Sequence, residues 1–502
     1  MKRRDVLRAI AGVVLFAAGL LLALPTPYRE RTFIFQAGGC NLDTAVTETK
    51  QGPTHGTVLL LHGLAANKKI MTYVARGFAA QDLRVIVPDL PGHGRTPGPF
   101  SPGRAEECSA NLLADLFARG MASPDSVILA GHSMGAAIAL RVADKFPVAG
   151  TIAISPAPMR AAHGATPEAL LFEGPPAAPH NMLALAGQFD MQALRDNAAD
   201  LVNTQSATNS KFEIVPGDSH VSLIFDARVI GRSQEWTAQL LHLAPGAPLP
   251  SRWPLFGALA GFAGVLLIAG PFLREITKTD LPATIKPERT PPSWLKAILT
   301  VAVAATASVL LLLRWKPLHS IRIFEADYFA AFLLFVSLIL LAIHRPAPLG
   351  SLGLSVKPLL RAAFAGLLLL ILINGWFELT LSEAWLNAAR WSRFPFLLLL
   401  ILPIHLAEEI LLGPPERLAG WRRLAAAMSF RLIAWLAILI GLFHLHSGEI
   451  LLVLLAPFFI LLSLLQRRGM DVVRTGTRSP AAAALFGAIL LAGFCLVIFP
   501  IT

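Results

Sequence analysis

Hydrophobic and polar residues alternate in two different ways along this chain. Between about residues 27 and 250, short apolar runs are separated by polar turns and by amphipathic segments, the pattern of strands that alternate with helices. Beyond residue 250 the apolar runs become long enough to cross, as helices, a hydrocarbon core of roughly 30 Å. The pattern predicts an α/β domain with a mostly parallel sheet, followed by an all-α polytopic membrane domain.

The long apolar runs predict about nine membrane spans. One lies within residues 1–26 and is interpreted as an uncleaved anchor, with a removable signal peptide as the alternative. The α/β domain then occupies 27–250, and a proline-rich stretch at its end opens the membrane domain, 251–502. This domain is expected to hold about eight spans, near residues 254–273, 294–313, 326–343, 360–377, 394–412, 425–444, 450–465 and 481–500.

Basic residues between the predicted spans set an orientation. Loops expected inside the cell carry most of them, whereas the outside loops carry fewer, with Arg314, Lys316 and Arg322 as an exception. One crossing before the α/β domain then places that domain outside the cytoplasm. The inside set comprises Arg274, Lys278, Lys286, Arg289, Arg345, Lys357, Arg361, Arg417, Arg422, Arg423, Arg467, Arg468, Arg474 and Arg478.

Composition agrees with a membrane protein. Hydrophobic residues make up 54% of the chain and charged residues 15%, which is too apolar for a soluble protein of 502 residues. The basic loops account for much of the net charge of +11, so no nucleic-acid partner is expected. The sequence offers no glycine-rich phosphate loop and no metal-ligand cluster with convincing spacing, so neither a cofactor nor a metal is expected. Cys495 lies in the last span, and a disulfide between Cys40 and Cys108 stays open.

The main chemical signal is Gly131-His132-Ser133-Met134-Gly135. An apolar run precedes it and a helix-like run follows it, so the sequence predicts a strand, a tight turn and a helix with the Ser133 hydroxyl at the apex. The flanking glycines fit this reading, because a strained turn leaves no room for a Cβ atom on either side of the serine. Ser133 is therefore the candidate nucleophile.

A general base and an acid are expected later in the chain. Asp190 follows a buried strand and His220 follows a further strand, so both side chains would reach the carboxyl edge of the sheet. His220 would accept the proton of Ser133, and Asp190 would orient the imidazole. Asp89 and Asp218 are rival acids, but Asp89 precedes the nucleophile and Asp218 lies only two residues from His220.

An oxyanion hole requires two backbone N–H groups. Leu64, after a predicted strand and a His-Gly turn, and Met134, after the nucleophile, are expected to supply them. His62 and His93 are interpreted as turn residues that shape their loops.

These motifs, with Pro91-Gly92-His93-Gly94, resemble the α/β-hydrolase family over residues 54–245. The resemblance implies an acyl-transfer enzyme; esterases, lipases, monoacylglycerol lipases and serine aminopeptidases share this sheet and differ in the segment that caps it. The cap region here is short, which favours an open or lightly covered acyl pocket, although a mobile loop over the sheet is an equal alternative. Candidate lining residues are Met159, Ala161, Leu170, Leu171 and Phe172.

The membrane domain contains a second polar cluster. His405, Glu408 and Glu409 lie at helical spacings inside a predicted span, where ionisable groups are costly and need partners. The glutamate pair and a later histidine resemble the CAAX-protease and bacteriocin-processing membrane family, but Gly413 stands where that family has an arginine and the last span has no histidine. A structural ion pair or a polar lining for a lipid cavity is favoured instead, with His444, His446 or Arg431 as partners.

The sequence thus predicts a membrane-bound serine hydrolase that cleaves carboxylic esters, with lipids or other amphiphiles as substrates. The alternatives are a transporter or lipid-binding membrane protein with an accessory hydrolase domain, and an intramembrane protease that uses the Glu408 and Glu409 region.

Overall fold

The structure, a computed structural model, describes residues 3–52, 55–158, 172, 177–204, 208–278, 291–344, 352–418, 420–445 and 449–502. The chain forms two compact units. The helical unit comprises Met1–Ala23, Leu255–Thr380 and Ala384–Ile498, and it begins with helix α1 (Arg3–Ala23). The sheet unit comprises Leu24–Pro254, Leu381–Glu383 and Phe499–Thr502.

Within the described ranges, the sheet unit is built on one eight-stranded sheet with the order β1-β2-β4-β3-β5-β6-β7-β8. The pairings β1 with β2 and β2 with β4 are antiparallel, and the pairings from β4 to β8 are parallel. This confirms the predicted mostly parallel sheet. The strands are β1 (Arg29–Ala37), β2 (Cys40–Glu48), β3 (Gly56–Leu61), β4 (Leu83–Pro88), β5 (Val127–His132), β6 (Gly150–Ile154), β7 (Met182–Gly187) and β8 (Lys211–Val215).

Helices connect the parallel strands, as crossover connections require. They are α2 (Thr72–Ala79), α3 (Pro102–Ala118), α4 (Met134–Ala143) and α5 (Gln192–Val202), and a further helix, α6 (Ala227–Leu241), follows β8. The central strands β5 and β7 are buried along their whole length, which explains their continuous apolar sequences. Because β3 to β8 are parallel, their carboxyl ends lie at the same edge of the sheet, where loops can bring polar side chains together.

A disulfide joins Cys40, the first residue of β2, to Cys108 in α3, with 5.5 Å between the Cα atoms. The sequence had left this pairing open, because the two cysteines are 68 residues apart and only the fold brings them together. Cys495 is buried in the helical unit with a free thiol.

The helical unit continues with further helices, most of them long and apolar. They are α7 (Trp253–Thr277), α8 (Trp294–Leu312), α9 (Ala326–Ile343), α10 (Val356–Thr380), α11 (Ala388–Leu412), α12 (Gly420–Leu445), α13 (Ile450–Leu454), α14 (Ala456–Thr477) and α15 (Pro480–Ile498). Among the described residues, eight helices, α1 included, are long and apolar enough to cross a membrane. The most buried of these is α15, which packs against α10, α11 and α14.

The structure departs from the predicted spans at 450–465. This segment is divided between α13 and α14 at Leu455, and α14 continues to Thr477 through Arg467, Arg468, Asp471 and Arg474. The charged second half explains why α14 is not among the eight apolar helices. Two short pieces of the predicted membrane domain, Leu381–Glu383 and Phe499–Thr502, also belong to the sheet unit.

Close backbone packing holds α1 against α7. A Cβ atom on Gly19 would lie 2.6 Å from the backbone nitrogen of Gly261, and one on Gly12 would lie 2.9 Å from the carbonyl oxygen of Gly264. Such distances are shorter than any real Cβ contact, so only glycine allows this approach.

Candidate active site

Ser133 occupies a strained turn between β5 and α4. Its φ and ψ angles are 54° and −119°, an unfavourable conformation for any residue with a side chain. A Cβ atom on Gly131 would lie 2.3 Å from the carbonyl oxygen of Gly135, and one on Gly135 would lie 2.3 Å from that of Leu61. The two glycines are therefore required by space, as the sequence predicted, and the turn directs the serine out of the sheet edge.

His220 and Asp190 complete a Ser-His-Asp triad. The Nε2 atom of His220 lies 2.9 Å from Ser133 Oγ, and its Nδ1 atom lies 3.1 Å from Asp190 Oδ1. All three residues are buried, with 8%, 7% and 5% exposure for Ser133, His220 and Asp190. Burial alone would raise the pKa of Asp190, but the hydrogen bond and charge of His220 outweigh it and the pKa is lowered. Asp190 is therefore an ionised acceptor for the imidazole.

A second serine, which the sequence analysis missed, belongs to this network. Ser155, directly after β6, donates a hydrogen bond to Asp190 Oδ2, and its Oγ atom lies 2.9 Å from His220 Nδ1. It is fully buried and lies on the Asp190 side of the imidazole, opposite Ser133. This position suits a residue that orients the acid and the base. A signal was present in the sequence, since Ser155 ends an apolar run, 150–155, and residues that follow a parallel strand lie at the carboxyl edge of the sheet.

Two buried histidines hold the loops around the triad. His132 Nε2 donates to the carbonyl oxygen of His220 at 2.9 Å, and His62 Nε2 accepts from the N–H of Leu90 at 3.0 Å. Burial lowers the pKa of His62 to about 4 and that of His132 to about 3, so both rings are neutral near pH 7. His93 is also buried, with its Nδ1 atom 3.0 Å from the carbonyl oxygen of Pro91.

The loop after β3 lies beside the serine. A Cβ atom on Gly63 would lie 3.1 Å from Ser133 Cβ, so the loop after β3 contacts the turn that carries Ser133. Leu64 is the next residue of this loop. Met134 is the first residue of α4, and the first N–H groups of a helix have no acceptor within it. The two predicted oxyanion donors thus lie on segments that flank Ser133.

The rival acids have other partners. Asp218 accepts hydrogen bonds from Ser222 at 2.8 Å and from Arg228 at 3.2 Å. Asp89 accepts from the backbone N–H of Lys68 and from its ammonium group, both at 2.7 Å. Each carboxylate is therefore committed to a local contact that stabilises a loop.

Lys68 is the centre of a buried charge cluster that the sequence did not predict. Its Nζ atom lies 3.3 Å from Asp43 and 2.7 Å from Asp89, and it also donates to Glu383. The three carboxylates lie within 4.8 Å of one another, a spacing that a cation would suit, and the ammonium group already supplies a positive charge there. The cluster closes the loop that follows Leu64, because Asn67 also donates to Ser382 at 2.9 Å.

Two carboxyl groups of this cluster share one positive charge. Burial raises the pKa of Glu383, the neighbouring Asp89 raises it further, and together they bring it to about 8 despite Lys68. A Cβ atom on Gly94, which has a φ angle of 48°, would lie within 2.4 Å of oxygen atoms of both Asp89 and Glu383. Glycine at this position is what allows the two groups to approach.

Four of the five candidate pocket residues, Met159, Ala161, Leu170 and Leu171, lie outside the described residues. The fifth, Phe172, is buried, and the guanidinium group of Arg141 lies 5.6 Å from the centre of its ring. Phe172 is therefore held next to α4, the helix that follows Ser133.

In the helical unit, Glu408 and Glu409 are bound by arginines. Glu408 accepts from Arg431 at 2.8 Å and from Arg467 at 2.6 Å, and Glu409 accepts from Arg467 at 2.5 Å and from Arg423 at 2.9 Å. The expected pairing of Arg431 with a glutamate is present. Of the two other suggested partners, His444 is exposed at the end of α12, and His446 lies outside the described residues.

The fold and the triad together define a serine hydrolase. The model of the alpha/beta hydrolase family matches residues 58–444, more than half of the chain, and the protein belongs to this family.

A curated relative, the magnesium-chelatase 30 kDa subunit of Rhodobacter capsulatus, is 38% identical over 138 residues, or 27% of this chain. The match spans 46% of that protein, less than half of its length. Similar solved structures include an alpha-beta serine hydrolase homologue from Coxiella burnetii, with 22% identity, coverage of 42% of this chain and 96% of that chain, and a TM-score of 0.33. A thermophilic esterase from Thermogutta terrifontis has 19% identity, coverage of 42% and 99%, and a TM-score of 0.33.

Proposed function

We propose that the protein is a membrane-bound serine esterase that cleaves carboxylic esters of amphiphilic acyl compounds. The observation that carries this proposal is the contact between Ser133 Oγ and His220 Nε2 at 2.9 Å, on a strained turn, with Asp190 3.1 Å from the other ring nitrogen. Such a chain of contacts activates a serine for attack on an acyl carbon.

His220 removes the hydroxyl proton of Ser133 as Ser133 Oγ attacks the ester carbonyl carbon. The imidazolium then gives this proton to the alcohol oxygen as the ester C–O bond breaks. Asp190 fixes the Nδ1–H tautomer and stabilises the imidazolium. The N–H groups of Leu64 and Met134, on the two segments that flank Ser133, would receive the developing oxyanion. Water then attacks the acyl-enzyme with His220 as base, which releases the acid and restores Ser133.

One observation supports an amphiphilic substrate, and another supports a location of the sheet unit outside the cytoplasm. In the part of the chain that the structure describes, eight helices are long and apolar enough for a membrane, so a bilayer would hold amphiphilic substrates near the chain. The disulfide between Cys40 and Cys108 favours an oxidising compartment for the sheet unit, in agreement with the orientation that the basic loops predict.

Intramembrane proteolysis is not favoured. A glutamate that activates water needs a free carboxylate, and the described contacts tie both Glu408 and Glu409 to arginine side chains.

The test is labelling of the full-length protein in detergent with a fluorophosphonate, followed by hydrolysis of a chain-length series of nitrophenyl esters. Ser133→Ala should abolish labelling and lower ester hydrolysis by several orders of magnitude, because the nucleophile is lost. Ser155→Ala is the matched control: the label should remain on Ser133 while hydrolysis falls only partly. Full ester hydrolysis by Ser133→Ala, or loss of the label only in Ser155→Ala, would refute the proposal.

A further inference from the structure

A largely apolar pocket lies within the helical unit, between α8, α9, α11, α12, α14 and α15. Aromatic rings form much of its wall, among them Phe329, Phe332, Trp435 and Phe459. The space between its atoms, including the mouth, is about 750 Å³, of which about 80 Å³ admits the centre of a water molecule. One water needs only about 10–15 Å³ by the second measure. The pocket thus has more room than a water molecule needs, and its apolar lining suits an acyl chain.

Five polar residues of the wall form one continuous hydrogen-bonded patch. Arg431 donates to Glu408 at 2.8 Å, to the carbonyl oxygen of Ser463 at 3.1 Å and to Gln466 Oε1 at 2.7 Å. Gln466 in turn contacts His405 at 3.0 Å. Glu408 and Arg431 are charged residues of the wall, and both are paired: Arg431 binds Glu408, which also accepts from Arg467.

The contacts of Gln466 determine the tautomer of His405. Because Gln466 Oε1 accepts from Arg431, its Nε2 group faces the carbonyl oxygen of Gly487 and the Nε2 atom of His405. An amide nitrogen only donates, so His405 Nε2 is an acceptor and the ring hydrogen is on Nδ1. His405 is 3% exposed, and Nδ1 has no hydrogen-bond partner among the described residues.

A buried donor without an acceptor is costly, and here it belongs to a residue of a pocket wall. We propose that this pocket binds a single-chain acyl compound with an uncharged carbonyl group, an ester or an amide, whose oxygen accepts the hydrogen of His405 Nδ1. The aromatic wall holds the apolar chain. A neutral head is favoured over a carboxylate, because Glu408, Ser463 and Gln466 already occupy the guanidinium group of Arg431, and a further buried negative charge would have no free partner at the wall.

This site goes beyond the proposed esterase function and does not depend on Ser133. The experiment uses the full chain with Ser133→Ala, so that no ester is consumed, in lipid nanodiscs. The probe is methyl palmitate with a photoreactive diazirine in its chain, and cross-linked peptides are identified by mass spectrometry. Palmitamide, palmitic acid and hexadecane, all unlabelled, serve as competitors. Labelling should map to α9, α12 or α14, and the ester and the amide should compete about tenfold better than the acid or the alkane.

Variants then test the hydrogen bond. His405→Phe removes the donor and should weaken probe binding about tenfold, whereas His405→Asn keeps a donor near the Nδ1 position and should restore part of it. His444→Phe, the same substitution at an exposed position of α12, is the matched control and should bind normally. Val336→Phe narrows the pocket from α9, a helix that carries no residue of the polar patch, and it should abolish binding. This variant tests the pocket independently if His405→Phe does not fold.

Three results would overturn the proposal: labelling outside the pocket helices, equal competition by hexadecane or palmitic acid, or unchanged binding in Val336→Phe. Hydrolysis of a small soluble ester by the same pocket variants with Ser133 restored is measured in parallel. If the pocket variants lose probe binding but hydrolyse the soluble ester normally, the pocket is a site separate from the triad. If Ser133→Ala abolishes hydrolysis but still binds the probe, the pocket proposal stands whether or not the esterase proposal does.

Discussion

His132 donates a hydrogen bond from Nε2 to the carbonyl oxygen of His220, with 2.9 Å between the two atoms. The residue directly before the nucleophile thus holds the loop that carries the base. Because burial lowers the pKa of His132 to about 3, its ring is neutral near pH 7 and the link does not depend on its protonation there.

Replacement of His132 by phenylalanine keeps a ring of similar size and removes the donor. We expect kcat for a nitrophenyl ester to fall about tenfold, because the His220 loop loses one hydrogen bond worth about 1 kcal/mol and a buried carbonyl oxygen is left without a partner. Fluorophosphonate labelling of Ser133 should slow in proportion. Unchanged kinetics in a folded variant would show that His132 does not position His220.

Glu383 makes part of the stability depend on pH. Its pKa is raised from 4.5 to about 8, so the folded protein binds a proton that the unfolded chain releases. The contribution is fully present below about pH 4.5 and is lost as the pH rises to about 8. We expect the thermal midpoint in detergent to fall across this window. In Glu383→Gln, which imitates the protonated form, the fall should be smaller, and parallel curves for the two proteins would contradict this assignment.

Gly19 tests the packing of α1 on α7. In Gly19→Leu the side chain would meet backbone atoms of Gly257 and Gly261 within 2.8 Å, so the helices must separate. Overpacking of this kind costs about 1–3 kcal/mol. Gly270→Leu is the control, because a Cβ atom there has no neighbour within 4 Å. The thermal midpoint should fall only in Gly19→Leu. An equal effect of both substitutions would mean that α1 does not rely on this contact.

Orientation is tested with a reporter enzyme that is active only outside the cytoplasm. A fusion near Pro245 should be active, and a fusion near Lys286 should be inactive, because one span precedes the first point and one more precedes the second. The opposite pattern would show that the first apolar run does not cross or that the chain is inverted.

The sequence was sufficient for the parts of the site that local geometry dictates. Ser133 is recognisable because the strained turn demands Gly131 and Gly135, and Asp190 and His220 follow strands that end at the same edge. Ser155, His132 and Glu383 could not be predicted in the same way, because their roles depend on contacts between segments far apart in the chain. Ser155 meets Asp190 across 35 residues, and Glu383 meets Lys68 across 315.

The last described residues also complete the sheet unit. Ile501 donates a hydrogen bond to the carbonyl oxygen of Gly92 at 3.1 Å and accepts one from the N–H of Phe100 at 2.6 Å. Ribosomes synthesise a chain in order, so the loop of Gly92 can form its hydrogen bond with Ile501 only after more than 400 later residues have been made. A fragment that ends near residue 250 would lack both Ile501 and Glu383. The hydrolase fold of this protein therefore reaches its final form only after the apolar helices have been translated.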